Sequence, residues 1–353
     1  MISLLGGVAL FLFGMTLMGD GLKKVAGNKL EIILYRLTST PLKGVLLGTG
    51  VTAVIQSSSA TSVMVVGFVN SGMMQVRQAI GIVLGSILGT SITGWILCLS
   101  DISGSGWVSL LSTATLTGIV AVIGIILRMF SKDPVKHHIG NILLGFAVLM
   151  YGMSAMSGAV APLKDSEAFI SLLTRFSNPL LGVLVGTVFT CILQSASAAV
   201  GILQALAITG TITFSVAFPI ILGIAIGAAV PVLLSSLGAS VKGKRTAYVY
   251  LLIDVIGAAF WGVVFYAVNA AVHFPFLNTT MTTVTIALLN TIFRFGTVLL
   301  LTPLIPMLER LVNVLFPDKA ASGALADIDR LEERFLTHPA LAIEQSRLTI
   351  DSM

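Results

Sequence analysis

The sequence of 353 residues is 56% hydrophobic and only 10% charged, with a mean hydropathy of +1.01. Soluble domains carry a charge at about one residue in four, so this chain cannot cover a water-exposed surface and is predicted to be an all-α integral membrane protein. The composition excludes disorder and nucleic-acid binding. Cys98 and Cys191 lie in apolar runs and offer neither a disulfide framework nor a cysteine metal site.

Apolar runs of about 20 residues are long enough to cross a bilayer as helices. Several such runs occur, and none alternates in the manner of a β-barrel strand. The first has no basic residues before it, which favours an uncleaved span over a signal peptide. The predicted full spans lie near 1–19, 78–99, 107–129, 139–160, 214–239, 246–272 and 284–308.

Two further apolar stretches, 41–72 and 179–210, are interrupted in the middle by polar residues. The interruptions read Gln56-Ser57-Ser58-Ser59 and Gln194-Ser195-Ala196-Ser197. Each half of about 15 residues would make roughly 22 Å of helix, too short for a hydrocarbon core of about 30 Å. We therefore predict two re-entrant helical hairpins with polar tips near the middle of the membrane. Two ordinary kinked spans are the alternative.

The basic residues of the loops indicate an orientation. Loops 20–43, 128–138 and 240–246 carry Lys or Arg, whereas loops 100–106 and 273–283 carry none. Seven full spans and two hairpins that return to their starting side put every basic loop on one face. Because basic loops stay cytoplasmic, we predict a multi-pass protein of the cell membrane with its N-terminus outside and its C-terminal tail in the cytoplasm.

The chain aligns with itself without a gap when it is shifted by 138 residues. Gln56, Ser57 and Ser59 then fall on Gln194, Ser195 and Ser197. Each copy contains a span, a loop, a hairpin and a span, and the linking span between the copies turns the second one upside down. The predicted organisation is a first repeat at 1–99, a linking span at 100–138, an inverted repeat at 139–239, two additional spans at 240–317 and a tail at 318–353. Inverted repeats with broken helices are typical of secondary transporters.

The two interruptions predict a binding site for an anion together with cations. A break exposes the N-terminus of the next half-helix, whose free N–H groups and dipole favour an anion. Hydroxyl and amide oxygens are hard ligands suited to Na⁺. The alternative is that these small polar residues only serve close helix packing. Candidate anion ligands are Gln56, Ser57, Ser58, Ser59, Gln194, Ser195 and Ser197, and candidate Na⁺ ligands are Gln56, Thr52, Thr90, Gln194, Thr190, Ser59 and Ser197.

Nothing in the sequence suggests an enzyme. It has no serine–histidine–aspartate or HExxH spacing and no Walker loop. We expect no cofactor, with Na⁺ serving only as a coupling ion.

With Gln56-Ser57-Ser58-Ser59-Ala60 and Gln194-Ser195-Ala196-Ser197-Ala198 in view, the chain resembles the type II sodium–phosphate cotransporter family. It is most similar to the bacterial branch that carries a C-terminal PhoU-like domain. Residues 335–353 of this chain resemble the beginning of that domain. The resemblance implies Na⁺-coupled uptake of inorganic phosphate, with the two Gln-Ser motifs forming the substrate and sodium sites. The expected partners are phosphate, Na⁺ and lipid but no nucleic acid, and a homodimer is left open.

The sequence departs from the family pattern at several positions. After each hairpin the family usually shows Gly-x-Asn-x-Gly-Thr. Here Ile87 replaces the Asn in the first copy, and the second copy, at 223–228, lacks both Asn and Thr. Ala196 also stands where the second motif often carries a serine. These losses leave open a different anion or a different coupling ion. A membrane sensor regulated through a cytoplasmic domain is a further alternative, which the tail that resembles the start of a PhoU-like domain leaves open.

Asp254 and Arg294 lie well inside the last two apolar runs, where the family tends to carry Asn. An unpaired charge there costs at least a few kcal/mol. We therefore predict an intramembrane ion pair between them. It would serve either as a tie between helices or as a proton or charge-coupling site.

Overall fold

The computed structural model describes residues 2–26, 40–101, 113–163 and 175–317. Regular structure within these ranges is helical, as predicted, and the β-type contact seen there is an isolated bridge between Thr213 and Thr280. The α-helices are α1 Ile2–Ala26, α2 Pro41–Ile55, α3 Ser58–Asn70, α4 Val76–Leu97, α5 Thr113–Phe130, α6 Pro134–Val160, α7 Pro179–Leu193, α8 Ala196–Ala207, α9 Phe214–Gly227, α10 Val230–Ser235, α11 Val241–Val272, α12 Thr283–Leu301 and α13 Ile305–Leu315.

Six of the described helical segments are long and apolar enough to cross a membrane. They are α1, α4, α6, the α9–α10 segment, α11 and α12. The predicted span 284–308 is wrong at its end, because α12 stops at Leu301 and the separate helix α13 follows. Pro303 follows the C-cap residue Thr302 of α12, and a proline cannot continue a helix without losing a backbone hydrogen bond.

The remaining predicted span, 107–129, is not among the six. Its described part is α5, which begins at Thr113, and its earlier residues lie outside the described part of the chain. The tail, with its PhoU-like stretch at 335–353, lies outside it as well.

Helix α1 lies along α6 with their backbones in contact. A methyl group added at Gly14 would lie 2.3 Å from the backbone nitrogen of Leu149, and one at Gly145 would lie 2.4 Å from that of Met18. Small residues allow such close approach between membrane helices, where dispersion and polar contacts replace the hydrophobic effect as the driving force. The two helices therefore form one tightly packed pair.

Two units of the fold share the same local geometry at positions 138 residues apart. In the first, the Thr49 hydroxyl donates to the carbonyls of Val45 (2.8 Å) and Gly85 (3.1 Å), which joins α2 to α4. In the second, the Thr187 hydroxyl makes the same bonds, joining α7 to α9 through the carbonyl of Gly223. The inverted orientation of the copies, the re-entrant course of the hairpins and the sidedness of the termini stay predictions.

Helix α4 is central to the fold. Most of its residues are buried, and it contacts α2, α3, α8, α11, α12 and α13. Polar groups on α4 are thus positioned to reach the first helix break and the last two spans at once.

Candidate functional site

Both polar interruptions are two-residue breaks between helices. Gln56 (φ 60°) ends α2 and Gln194 (φ 53°) ends α7, both in the left-handed conformation. The next serine starts the following helix: the Ser57 hydroxyl accepts from the N–H of Ala60 at 3.1 Å, and that of Ser195 from Ala198 at 3.2 Å. A left-handed residue that is not glycine is strained, and such strain concentrates at functional sites. Each Gln-Ser pair therefore ends one helix and caps the next.

The two breaks face one cavity of about 200 Å³. This volume is several times the roughly 30 Å³ that a water molecule takes up in the liquid. Its polar lining comes mainly from the two motifs that sequence repetition singled out. The lining residues are Met15, Thr16, Gly19, Asp20, Lys23, Ile55, Gln56, Ser57, Ser58, Ser59, Gln194, Ser195, Ala196 and Ser197.

The N-termini of α3 and α8 meet this cavity. Each helix is capped by a lining serine, Ser57 or Ser195, and is at least three turns long. The capping hydroxyls of Ser57 and Ser195 accept a backbone N–H and keep their own hydrogen as a donor. Two helix dipoles and several hydroxyl donors can therefore act on one anion.

The first break is held by neighbouring helices. The Gln56 side chain accepts from the Thr93 hydroxyl of α4 at 2.8 Å and donates to the carbonyl of Ala53. The Ser58 and Tyr250 hydroxyls are 3.0 Å apart, which ties the break to α11. The second break is more open, since Gln194 is exposed whereas Gln56 is buried.

The structure brings together all the predicted anion ligands but only part of the predicted Na⁺ set. Gln56, Ser59, Gln194 and Ser197 line the cavity, whereas three threonines are not in its lining. Thr52 donates to Thr61, Thr90 donates to the Ser86 carbonyl, and the Thr190 hydroxyl is buried without a hydrogen-bond partner. The Na⁺ role of these three threonines stays a prediction.

Two charged side chains that were not among the predicted ligands also line the cavity. Helix α1 runs on to Ala26 instead of ending near residue 19, and it brings Asp20 and Lys23 to the cavity. Their side chains form an ion pair with Nζ 3.5 Å from Oδ1. Asp20 and Lys23 lie on the same face of α1 as Met15, at helical spacing. This spacing is the sequence signal that could have placed them at the site.

Sequence reasoning also missed Thr93 and Tyr250. Each is a single polar residue within a long apolar helix, and no local motif marks it.

Asp254 and Arg294 are both buried but not in direct contact. No nitrogen of Arg294 lies within 4 Å of a carboxylate oxygen of Asp254, and neither oxygen has a hydrogen-bond partner. Arg294 instead donates to the Asn290 side chain at 3.1 Å and to the Ile87 carbonyl at 3.4 Å. The two side chains therefore do not form the predicted ion pair in this structure, because the guanidinium of Arg294 is hydrogen-bonded to α12 and α4.

An all-helical membrane protein with two broken helices around a shared polar cavity has the architecture of a secondary transporter. The family model described as Na+/Pi-cotransporter matches residues 10–158 and again residues 160–288. The chain therefore belongs to the Na⁺/Pi-cotransporter family, a family of membrane transporters for phosphate.

Several relatives share the sequence pattern. YqeW of Bacillus subtilis, described as uncharacterized, is 28% identical over 90% of this chain and 99% of its own length. YjbB of Escherichia coli (strain K12), named as a candidate inorganic phosphate export protein, is 28% identical over 73% of this chain and 46% of its own length. Sodium-dependent phosphate transport protein 2A of Rattus norvegicus is 33% identical over 27% of this chain and 15% of its own length. No solved structure matches the chain significantly.

Proposed function

We propose that this protein couples the uptake of inorganic phosphate across the cell membrane to Na⁺, and that phosphate binds between the two helix breaks. The observation that carries the proposal is the shared cavity of Gln56–Ser59 and Gln194–Ser197. A tetrahedral oxyanion has acceptor oxygens in several directions, which suits donors that converge from two breaks. Lys23 brings a positive charge to the same cavity, where Asp20 forms an ion pair with it.

Sodium would bind beside the anion. The amide oxygens of Gln56 and Gln194, with the hydroxyls of Ser59 and Ser197, are hard oxygen ligands. Thr52, Thr90 and Thr190 would bind at deeper positions, and the unpartnered Thr190 hydroxyl supports this role. Joint binding of anion and cation limits the net charge that is buried, which lowers the cost of both.

Export of phosphate is a second candidate, favoured by the name of the relative YjbB. A symporter driven by an inward Na⁺ gradient takes up its substrate, so the coupling ion decides the direction. Uptake that follows the Na⁺ gradient supports the first candidate. Efflux that is independent of Na⁺ supports the second.

The test is uptake of labelled phosphate by proteoliposomes under an imposed Na⁺, K⁺ or proton gradient. We expect accumulation when Na⁺ is outside, and loss of accumulation when K⁺ replaces it. Folded protein that moves no phosphate under any gradient would contradict both candidates and favour a sensor. Competition by sulfate at the same concentration would show whether phosphate is the preferred anion.

A further inference from the structure

A buried charged cluster lies beside the first helix break and outside the lining of the cavity. The exposed fraction is 1% for Asp254 and 0% for Arg294. Neither carboxylate oxygen of Asp254 has a hydrogen-bond partner, and Nη2 of Arg294 has none. An ionised carboxylate that is buried without hydrogen bonds is very costly, whereas the neutral acid costs far less. This geometry therefore matches a protonated Asp254.

The surroundings of Asp254 favour a proton over a metal cation. Tyr250, one turn earlier on α11, and Arg294 on α12 interact electrostatically with this carboxyl. The charge of Arg294 opposes either cation, but sodium would also need several oxygen ligands. A proton needs only the carboxyl oxygen.

The charged and titratable side chains of the other described helices packed against α11 are few. Helix α4 carries Arg77 in its exposed first turn, and α13 carries Glu309 and Arg310. Helices α3, α9 and α10 carry none. Among the helices packed against α11, Arg294 therefore carries the charge that acts on the carboxyl group of Asp254.

The cluster is connected to the first break on two sides. The Tyr250 hydroxyl is 3.0 Å from that of Ser58, which lines the cavity. Arg294 donates to the Ile87 carbonyl of α4, the helix whose Thr93 donates to Gln56. A change at Asp254 can thus reach the break through α11 and through α4.

We infer that Asp254 is a proton-binding site that couples proton movement to anion binding at the first helix break, and this rests on the proposed phosphate transport. A proton from water bonds to one carboxylate oxygen and gives the neutral acid. The charge of Arg294 is then uncompensated and attracts the anion. When the proton leaves, Asp254 draws Arg294 away from Ile87 and the attraction is lost. By linkage, the anion strengthens proton binding equally.

The experiment compares the wild type with Asp254→Asn, a neutral isostere, and Asp254→Glu, which keeps the carboxyl. Asp133→Asn is the matched control, because Asp133 is exposed and an asparagine can cap α6 equally well. Proteoliposomes hold a pH-sensitive dye, Na⁺ is equal on both sides, and proton influx is measured per labelled phosphate. Because each phosphate carries its own protons equally in all variants, differences report the protein.

We expect Asp254→Asn to lose the extra proton influx that the wild type, Asp254→Glu and Asp133→Asn show. Equal influx per phosphate in Asp254→Asn and the wild type would overturn the inference. So would a loss of co-transported ²²Na⁺ in Asp254→Asn with wild-type proton influx, because the site would then hold sodium.

Infrared difference spectroscopy tests the proton site without transport. Adding phosphate to the purified wild type should change a carboxyl C=O band that Asp254→Asn lacks. No such change in the wild type would overturn the inference even if a variant fails to fold. A wild type that shows the band but moves no labelled phosphate would contradict the proposed transport and leave the proton site supported.

Discussion

Gly48→Ala tests whether close packing of α2 on α4 maintains the first break. A methyl group at Gly48 would lie 2.1 Å from the Ile82 carbonyl oxygen, whereas ordinary contact begins at 3.4 Å. The helices must therefore separate by about 1.3 Å, and overpacking of this kind costs about 1–3 kcal/mol. The 2.8 Å bond from Thr93 to Gln56 joins the same two helices, and such a shift would break it.

Gly50→Ala is the matched control on the same helix. Nothing lies within 4 Å of a methyl group at Gly50, and alanine in place of a helical glycine is worth about 1 kcal/mol of helix stability. We expect Gly48→Ala to lower the unfolding temperature in detergent and to reduce phosphate uptake by about 10- to 100-fold. Gly50→Ala should do neither. Wild-type stability and uptake in Gly48→Ala would refute the reasoning.

Three further predictions concern the cavity. Gln56→Gly should lower the unfolding temperature, because the about 1 kcal/mol of left-handed strain that glycine relieves is outweighed by the loss of the side-chain hydrogen bonds to Thr93 and Ala53, and it should weaken phosphate binding in a radioligand assay; unchanged affinity would remove Gln56 from the site. Ser57→Ala loses a helix cap worth about 0.5–2 kcal/mol and a donor to the anion, so uptake should fall at least about tenfold; normal uptake would refute its role. Lys23→Ala should raise the KM for phosphate and make the KM less dependent on ionic strength. Lys24 lies outside the cavity lining, so Lys24→Ala should match the wild type. Equal effects of the two substitutions would rule out a role for Lys23 at the cavity.

The helix breaks could be predicted from the sequence because their signal is local. Gln56-Ser57 and Gln194-Ser195 interrupt apolar runs with polar residues, and the serine of each pair caps the helix that follows. Their repetition at a fixed spacing indicated that they act together. The breaks fall where the sequence predicted them, whereas their depth in a membrane stays a prediction.

The support of the breaks could not be predicted, because it depends on contacts far apart in sequence. Thr93 lies 37 residues from Gln56, and Tyr250 lies 192 residues from Ser58. Each is a lone polar group on a buried helix, where a hydroxyl that only packs looks the same in sequence. The continuation of α1 to Lys23 was missed for another reason: hydropathy marks where a span leaves the apolar region, not where its helix ends.

The glycine contacts of α1 have a consequence for motion. A methyl group at Gly14 would lie 2.3 Å from the α6 backbone, whereas one at Gly19 would lie 3.5 Å from the Ile55 carbonyl beside the first break, at ordinary contact distance. Helix α1 thus packs tightly against the backbone of α6 but makes only ordinary van der Waals contact with the first break. Helix α1 forms one wall of the cavity. We therefore expect the α1–α6 pair to move as a rigid body when the cavity opens to one side of the membrane or the other. The contact between Gly19 and Ile55 is where we expect α1 to separate from the first break.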